Sequence, residues 1–378
     1  MPSTKRSMMA AAGVDTACED CGLFVAGRNN YGQLGTGDTT NISSPVQAYA
    51  AVPTAYSAGK ECSAVIKTDN TLWMVGRNNK GQLGLGNTTD ISSWTQVGSD
   101  TNWDQISCGN ESAIARKTDG TIWTWGENEW GQLGDGTTVD KSSPVQVGSL
   151  TDWDVVLHAG KVAIGFKSDE LWMWGAGQSG QLGNGAAVDY SSPVQIASSG
   201  FANGVRSSAG NGAYMVHLPK TDNTVVCTGY GYKGSLGLDG PLSTTTFTQL
   251  GSAQWTWVQI GRYNNFGRRT NGELWSWGYA VAGSVGDIPY PWVTRSSPVQ
   301  IGSGETWGAD FRHGGNNDYG GMAINTSGEL FGWGQNTYGQ KGGLPIYGMN
   351  TPTQIGSETD WTGVDCGATH NLGVRDDS

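Results

Sequence analysis

The chain has 378 residues, a net charge of −11 and 60 glycines, and charged residues make up 15% of it, against about 25% in an average domain. The negative charge repels phosphate backbones, so nonspecific binding to nucleic acid is disfavoured. No stretch approaches the roughly 20 apolar residues that a membrane span needs. We therefore expect a soluble protein that binds neither nucleic acid nor a membrane.

The N-terminal residues 1–22 lack the pattern that organises the rest of the chain, and we interpret them as an N-terminal arm. The apolar run Met8–Ala12 is too short for a signal peptide. Cys18 and Cys21 have the spacing of half a zinc site, but no second pair supplies the other two ligands. We expect the cysteines to form neither a disulfide framework nor a metal site.

A strand of the type Leu-Trp-x-Trp-Gly, followed by a Gly-Gln-Leu-Gly turn, recurs about every 50 residues after the arm. Its seven copies begin at Leu23, Leu72, Ile122, Leu171, Val225, Leu274 and Leu330. A period of about 50 residues with glycine and aromatic punctuation is typical of a β-propeller, because each unit is too small to bury its own apolar face.

Each repeat predicts one blade of four short strands. Asp119-Gly120 has the composition of a tight hairpin turn. The segment Leu72–Gly76 is apolar on both faces, which predicts a strand between neighbouring blades with its tryptophans as filling. Proline opens the Pro-Val-Gln segments, as at Pro144, and this predicts the outermost strand of a blade.

The two ends of the repeat region are half repeats. Residues 23–47 have no partner half before them, and Trp361–Arg375 have no Trp-Gly half after them. Joined, the halves complete a blade and leave no open sheet edge. We predict an all-β fold over 23–378, a seven-bladed β-propeller of four-stranded antiparallel blades, closed by N- and C-terminal strands that share one blade.

The Leu-Trp-x-Trp-Gly strand, the turn Asn128–Gly134, the strand 142–146 and the Cys-Gly pairs at 108–109 and 366–367 resemble the repeat of the regulator-of-chromosome-condensation family. The resemblance covers about 23–378 and implies a seven-bladed propeller in which each sequence repeat contributes to two adjacent blades. The founding member of that family is a nucleotide-exchange factor for a small GTPase and sits on chromatin. This chain has no basic tail or basic face that would place it on chromatin, and no exchange-specific motif can be matched to it.

Motifs that would carry catalysis or bind a cofactor are weak. Gly175–Gly180 has the spacing of a dinucleotide-binding turn, but the following residues continue the repeat instead of starting a helix. The four histidines fall in four repeats, without a nucleophile or an acid at motif spacing. Loops such as 136–140 lack the acidic spacing of a calcium site, and side chains that bond their own backbone explain them better. We expect no enzyme activity, no catalytic residue, no cofactor and no metal.

The last three copies lose Gly-Gln-Leu-Gly, and two insertions fall among them. Insertions in a repeat map to loops that often lie on the binding face, and aromatic residues in such loops suit protein interfaces. The candidate partner-binding residues are Tyr290, Trp292, Arg312, His313 and Tyr319. The alternative is that Trp292 folds back onto its own blade.

Three non-enzymatic functions follow from these observations. We favour a structural, protein-interaction component of a virion, such as a phage decoration or tail-associated protein bound to capsid or tail proteins, because the lysine-poor repeats resemble microbial and viral relatives. The second is an exchange-factor-like regulator of a small GTPase, whose acidic loops would meet a basic partner. The third is a propeller that binds a cell-surface glycan. The expected location is the virion, or otherwise the cytoplasm.

Overall fold

A computed structural model describes residues 21–202, 214–240, 242–287, 294–309, 314–317, 319–343 and 348–376. These residues form seven antiparallel sheets, which are the blades of a propeller. Six sheets have four strands, and blade 4 has three strands within the described ranges. The predicted all-β, seven-bladed architecture is confirmed.

The blades are numbered in chain order, and their strands are called inner, second, third and outer. Blades 1 to 3 consist of Ala55–Ala58, Cys62–Ile66, Leu72–Gly76 and Ile91–Gln96; Trp103–Cys108, Ser112–Lys117, Ile122–Gly126 and Lys141–Gln146; and Val155–Ala159, Val162–Lys167, Glu170–Gly175 and Tyr190–Ala197. Blade 4 has the second, third and outer strands Met215–Pro219, Val225–Gly229 and Thr244–Gln249, with a 3-10 turn at Tyr232–Gly234.

Blades 5 to 7 complete the ring. They consist of Trp255–Ile260, Asn264–Arg269, Leu274–Gly278 and Arg295–Ile301; Gly314–Asn317, Gly320–Ile324, Leu330–Gly334 and Met349–Gln354; and Trp361–Cys366, His370–Arg375, Gly22–Gly27 and Ile42–Tyr49. Inner strands of adjacent blades contact each other, whereas the proline-bearing strands are the outermost strands of their blades, as predicted, and are mostly half-buried.

Blade 7 joins the two ends of the repeat region. Its third strand pairs with its second strand from Gly22 opposite Arg375 to Gly27 opposite His370. The blade then packs on Ala55–Ala58 of blade 1, which closes the ring. The predicted sharing of one blade by N- and C-terminal strands is confirmed. The predicted arm at 1–22 stays a prediction, because residues 1–20 lie outside the described ranges.

The cysteines differ in part from expectation. Cys21 is disulfide-bonded, which the sequence did not predict. Cys62, Cys108, Cys227 and Cys366 are free and buried. They therefore serve as small apolar residues of the core.

The second tryptophan of each Trp-x-Trp strand joins neighbouring blades. The indole nitrogen of Trp125 donates a hydrogen bond of 2.9 Å to the carbonyl of Gln82 in the preceding blade, and Trp174 bonds Gln132 at 3.1 Å in the same way. The turn residue two positions after Gln132 must be glycine, because a Cβ at Gly134 would lie 2.5 Å from the Trp174 indole nitrogen. The prediction that tryptophan fills the space between blades is confirmed at these positions.

Three blades lack this tryptophan: Val75, Thr228 and Ala26 occupy its position in blades 1, 4 and 7. In blades 1 and 4 an aromatic residue of the outer strand replaces it, because Trp94 and Phe247 lie against the turn glycines of the preceding blades. In blade 7 Pro45 of the outer strand lies against the corresponding glycine, Gly342. The aromatic filling is therefore kept in two of the three blades that lack the tryptophan.

Consecutive antiparallel strands give the ring two distinct faces. The upper face carries the turns from inner to second strand and the connections from third to outer strand. The lower face carries the turns from second to third strand and the links between blades. The first tryptophan of Trp-x-Trp is half-buried at the lower face, as Trp123 shows, instead of fully enclosed as predicted.

Candidate partner-binding face

Each blade presents one pair of residues at the same place on the upper face, here called the upper-face pair. The first residue precedes the second strand, and its carbonyl accepts a hydrogen bond from the backbone N–H of the second residue, which follows the third strand. Across blades 7 and 1 to 6 the pairs are Thr369 with Arg28, Glu61 with Arg77, Glu111 with Glu127, Lys161 with Ala176, Tyr214 with Tyr230, Tyr263 with Tyr279, and Tyr319 with Gln335. The seven N···O distances lie between 2.7 and 3.1 Å.

Blades 7 and 1 to 3 form a charged half, in which the side chains bind each other. Glu61 contacts Arg77 at 2.5 Å and Arg28 at 3.6 Å. Arg77 and Lys60 reach Glu111 at 3.6 and 3.7 Å. Burial lowers the pKa of Arg77, but the hydrogen bond and charge of Glu61 outweigh burial and raise it. The carboxylates of Glu61 and Glu111 are thus neutralised within the protein.

Blades 4 and 5 form a tyrosine cluster, defined as Tyr214, Tyr230, Tyr232, Tyr263 and Tyr279 with the cations Lys233 and Arg262. The rings of Tyr230 and Tyr232 are stacked, with centroids 5.8 Å apart and planes 4° apart. The Tyr232 ring meets Tyr263 edge-on at 5.9 Å and Tyr279 at 6.4 Å. Tyr214 contacts Tyr230 at 6.4 Å. One continuous aromatic patch therefore spans two blades.

The cluster is open to solvent. Tyr214, Tyr230 and Tyr232 are 46%, 44% and 41% exposed. The Nζ atom of Lys233 lies 5.1 Å from the ring centroid of Tyr279, and the Arg262 guanidinium lies 5.1 Å from that of Tyr263. Exposed tyrosines with nearby cations have the composition of a protein interface.

The degenerate turns of blades 4 and 5 hold these tyrosines. In a regular repeat the turn glutamine accepts a backbone hydrogen bond within its own turn, as Gln82 does from Lys80 at 2.8 Å. Serine replaces glutamine in the two degenerate turns, and its hydroxyl donates to a cluster carbonyl: Ser235 to Tyr230 at 3.1 Å and Ser284 to Tyr279 at 2.8 Å. The loss of Gly-Gln-Leu-Gly thus coincides with a new way of placing the tyrosines.

The same two turns contain strained backbone. Lys233 and Ala282, the residues before the first turn glycine, have φ of 55° and 50°. The corresponding residues of the regular turns, such as Lys80 and Trp130, are not among the residues with positive φ. Non-glycine residues pay roughly 1 kcal/mol or more for this conformation, and such strain concentrates at functional sites.

The lower face also pairs cations with aromatic rings, but it does so around much of the propeller. The pairs are Lys67 with Trp73, Lys117 with Trp123, Lys167 with Trp172 and Arg269 with Trp275, at 3.4, 4.0, 5.1 and 3.4 Å from the ring centroids. A contact repeated in blades 1, 2, 3 and 5 belongs to the fold. Cation–ring contacts also occur in the charged half of the upper face, as between Arg77 and Tyr31 at 4.9 Å. Ring contacts between tyrosines, in contrast, fall in blades 4 and 5 among the described residues, which favours a specific binding role for the cluster.

The structure places one of the five sequence-predicted site residues. Tyr319 is a half-buried member of the upper-face pair of blade 6, next to the cluster-bearing blade 5. Tyr290, Trp292, Arg312 and His313 lie outside the described residues. Asp287 and Thr294, between which Tyr290 and Trp292 fall, belong to the upper-face connection of blade 5.

The members of the tyrosine cluster were missed by the sequence analysis. The missed signal was positional: the residue before the second strand and the residue after the third strand are tyrosine in both blades 4 and 5, and charged in both blades 1 and 2. Aligning the copies at these two positions would have revealed the cluster. The predicted site residues came from the two insertions instead of from these two positions.

The described residues contain no group of three or more His, Cys, Asp or Glu that could hold a metal ion. None of the helices in the described part is long and apolar enough to cross a membrane. In the loop 136–140, Asp135 accepts a hydrogen bond from the Thr137 backbone at 2.9 Å, which is the self-bonding predicted for such loops.

Seven antiparallel blades closed by both ends of the repeat region define the class of seven-bladed β-propellers. Family comparison makes the assignment specific, because the model described as the regulator of chromosome condensation (RCC1) repeat matches residues 22–66, 69–115, 119–161, 168–216 and 327–374. A second model of the same description matches 103–132. The chain therefore belongs to the regulator-of-chromosome-condensation repeat family. The segment 217–326, which holds four of the five cluster tyrosines, lies between the matched segments.

Solved structures share the fold at low sequence identity. Prp20p from Saccharomyces cerevisiae, whose structure was described together with its binding to Gsp1p and histones, is 16% identical, with a TM-score of 0.79 over 95% of this chain and 92% of that chain. Human WBSCR16 is 17% identical, with a TM-score of 0.77 over 93% and 98%. Yeast RCC1 (Prp20) bound to Kap60 is 16% identical, with a TM-score of 0.79 over 99% and 96%. No curated protein matches the sequence.

These comparisons correct the favoured function. The expectation of a virion component bound to capsid or tail proteins is wrong, since the matching propellers are Prp20p and WBSCR16 and not virion proteins. Neither a virion location nor a glycan partner finds support among them. The interpretation failed because glycine-rich, lysine-poor repeats follow from the tight turns of the blades and say little about where the protein acts.

Proposed function

We propose that the protein is a regulator that binds a small GTPase through its upper face and promotes nucleotide exchange. The observation that carries this proposal is the tyrosine cluster, an exposed aromatic patch confined to blades 4 and 5 of a regulator-of-chromosome-condensation propeller. The founding member of the family is an exchange factor, and Prp20p was described with its binding to Gsp1p.

The physical basis is protein binding without covalent chemistry. Tyrosine offers a large amphipathic contact area and loses little side-chain entropy on binding. The hydrogen bonds from Ser235 and Ser284 fix the backbone beneath the rings, so the surface is organised before the partner arrives. A partner that fits this surface better when its nucleotide is released would lose nucleotide faster.

The test is nucleotide release from purified small GTPases loaded with a fluorescent guanine nucleotide. We expect the propeller to accelerate release from at least one member of a broad panel by more than about tenfold. The double variant Tyr232→Ala/Tyr279→Ala should abolish the acceleration. Leu150→Ala is the matched control, because Leu150 is a 42% exposed apolar residue on the lower face.

Circular dichroism and thermal unfolding establish that the double variant keeps its fold. Equal acceleration by the wild type and the folded double variant would remove the tyrosine cluster from the proposal. A panel in which no GTPase responds to the wild-type propeller would refute exchange activity.

A further inference from the structure

The tyrosine cluster carries positive charge at its surface. Lys233 lies over two rings, with Nζ 5.5 Å from the Tyr232 centroid and 5.1 Å from that of Tyr279. The Arg262 guanidinium lies 5.1 Å from the Tyr263 centroid. Lys233 and Arg262 are both partly exposed, so their charges face the same side as the rings.

Four acidic residues of the upper face contact other side chains of this protein. Asp287 forms an ion pair with Arg295 at 2.5 Å, and Asp239 accepts a hydrogen bond from Ser297. In the charged half, Glu61 and Glu111 are bound by arginine and lysine side chains. These four acidic residues thus have partners within the protein.

The strained turn places one of the two cations. Lys233 has φ 55° and ψ 36° inside the short 3-10 turn Tyr232–Gly234. Glycine would adopt this conformation without strain, yet the chain has lysine there, and its amine lies over Tyr232 and Tyr279. This positive charge therefore stands at a position where the backbone is strained.

We infer that the tyrosine cluster binds an acidic segment of a protein partner, with the partner's carboxylates on Lys233 and Arg262 and its backbone and apolar atoms on the tyrosine rings. This inference rests on the proposed function for the choice of face, and it adds the chemistry of the partner. It reverses the expectation that acidic loops of this protein meet a basic partner. Aromatic rings and cations also suit single-stranded nucleic acid, but the net charge of −11 repels a phosphate backbone.

The experiment measures fluorescence anisotropy of three labelled probes on the full-length protein: an octaglutamate peptide, an octalysine peptide and a thymidine octanucleotide. Octaglutamate should bind in a saturable, salt-sensitive manner. The double variant Lys233→Gln/Arg262→Gln should weaken its binding by about tenfold or more. The matched control Lys60→Gln/Lys80→Gln removes the same charge from the charged half of the same face and should leave the affinity within about twofold.

A second variant separates the rings from the charges. Tyr232→Ala keeps both cations and should also weaken octaglutamate binding, by about three- to tenfold, because the rings hold the peptide backbone. Thermal unfolding of each variant shows that it is folded. Loss of peptide binding in a folded Tyr232→Ala variant supports the inference, and full retention contradicts the part assigned to the rings.

The outcomes distinguish this inference from exchange activity. Equal octaglutamate binding by the wild type and the Lys233/Arg262 double variant, no octaglutamate binding, or tighter binding of the oligonucleotide would overturn the acidic-segment inference. Cluster-dependent octaglutamate binding by a protein that activates no GTPase would leave the inference standing and refute the exchange activity. Exchange activity that survives in the double variant would refute the inference alone.

Discussion

The charged half and the tyrosine half of the upper face share one backbone design and use it in opposite ways. In both, a main-chain hydrogen bond fixes the upper-face pair, at 2.9 Å between Arg77 and Glu61 and 2.9 Å between Tyr279 and Tyr263. In the charged half the side chains bind one another, whereas in the tyrosine half the rings remain exposed. Because the main chain holds each pair, the side chains can change from structural to binding groups without altering the blade.

Acidification should have the largest effect on stability, and it should act through histidines buried under both the charged half and the tyrosine half. Burial lowers the pKa of His158, His217 and His370 to about 4. The unfolded chain takes up protons near pH 6.5 while the folded protein does not, so stability is present above pH 6.5 and is lost as the pH falls toward 4. Each histidine contributes roughly 3 kcal/mol to this loss.

Urea unfolding at several pH values checks the histidine prediction. His370→Gln should be less stable than the wild type at pH 7 but should lose less stability between pH 6.5 and 4. An identical pH dependence of the wild type and this variant would show that the buried imidazoles do not govern acid unfolding.

Replacement of Lys341 should give the next largest effect. Lys341 stands where the regular turn has leucine, is fully buried, and its amine has no hydrogen-bonding partner among the described residues. Burial lowers its pKa to about 8. The folded protein is penalised below pH 8, and the penalty disappears as the pH rises to 10.5, so Lys341→Met should stabilise by about 3 kcal/mol at pH 7.

Thermal unfolding at pH 7 and pH 10 tests the Lys341 prediction. The gain from Lys341→Met should shrink at the higher pH, and Lys80→Met, an equivalent change at a partly exposed turn position of the charged half, should give no comparable gain. A variant less stable than the wild type at both pH values would show that the amine is accommodated without penalty.

Removing one cation from each half should sharpen the contrast between them. Arg77→Ala leaves the Glu61 side chain, which is 10% exposed, with Arg28 at 3.6 Å as its remaining cation, and should cost about 2 kcal/mol. Lys233→Ala should cost roughly 0.5 kcal/mol, because an exposed cation over a ring contributes little to folding. Denaturant unfolding compares the two variants, and equal costs would mean that the halves do not differ as described.

Restoring the regular turn should have a smaller effect on stability than the loss of Arg77. Ser284→Gln removes the hydrogen bond to the Tyr279 carbonyl and should cost about 1 kcal/mol. It should also lower octaglutamate affinity, since the ring of Tyr279 is displaced. The opposite exchange, Gln82→Ser in the charged half, should cost a similar amount and leave the affinity unchanged. A loss of affinity in both variants would contradict a cluster-specific role for the serine.

The fold was largely predictable from the sequence, because the period of the strands and the half repeats at 23–47 and Trp361–Arg375 determine the number of blades and their closure. The half-burial of Trp123 was not predictable, because the pattern of apolar residues within one strand does not reveal that the lower-face end of this strand meets solvent beside Lys117. The tyrosine pairs of blades 4 and 5 could have been found by aligning the repeat copies, but the stacking of Tyr232 on Tyr230 could not, because Tyr232 has no equivalent position in the alignment of pairs.

The shared blade has a consequence for how the protein matures. The second strand of blade 7, His370–Arg375, lies between the third strand Gly22–Gly27 and the inner strand Trp361–Cys366. During synthesis Gly22–Gly27 can pair early with Ile42–Tyr49 on one side, but its other edge has no partner, and the ring stays open, until His370–Arg375 has left the ribosome. Closure of the propeller should therefore be a late step of folding, with the open edge of Gly22–Gly27 as the segment most in need of protection by a chaperone.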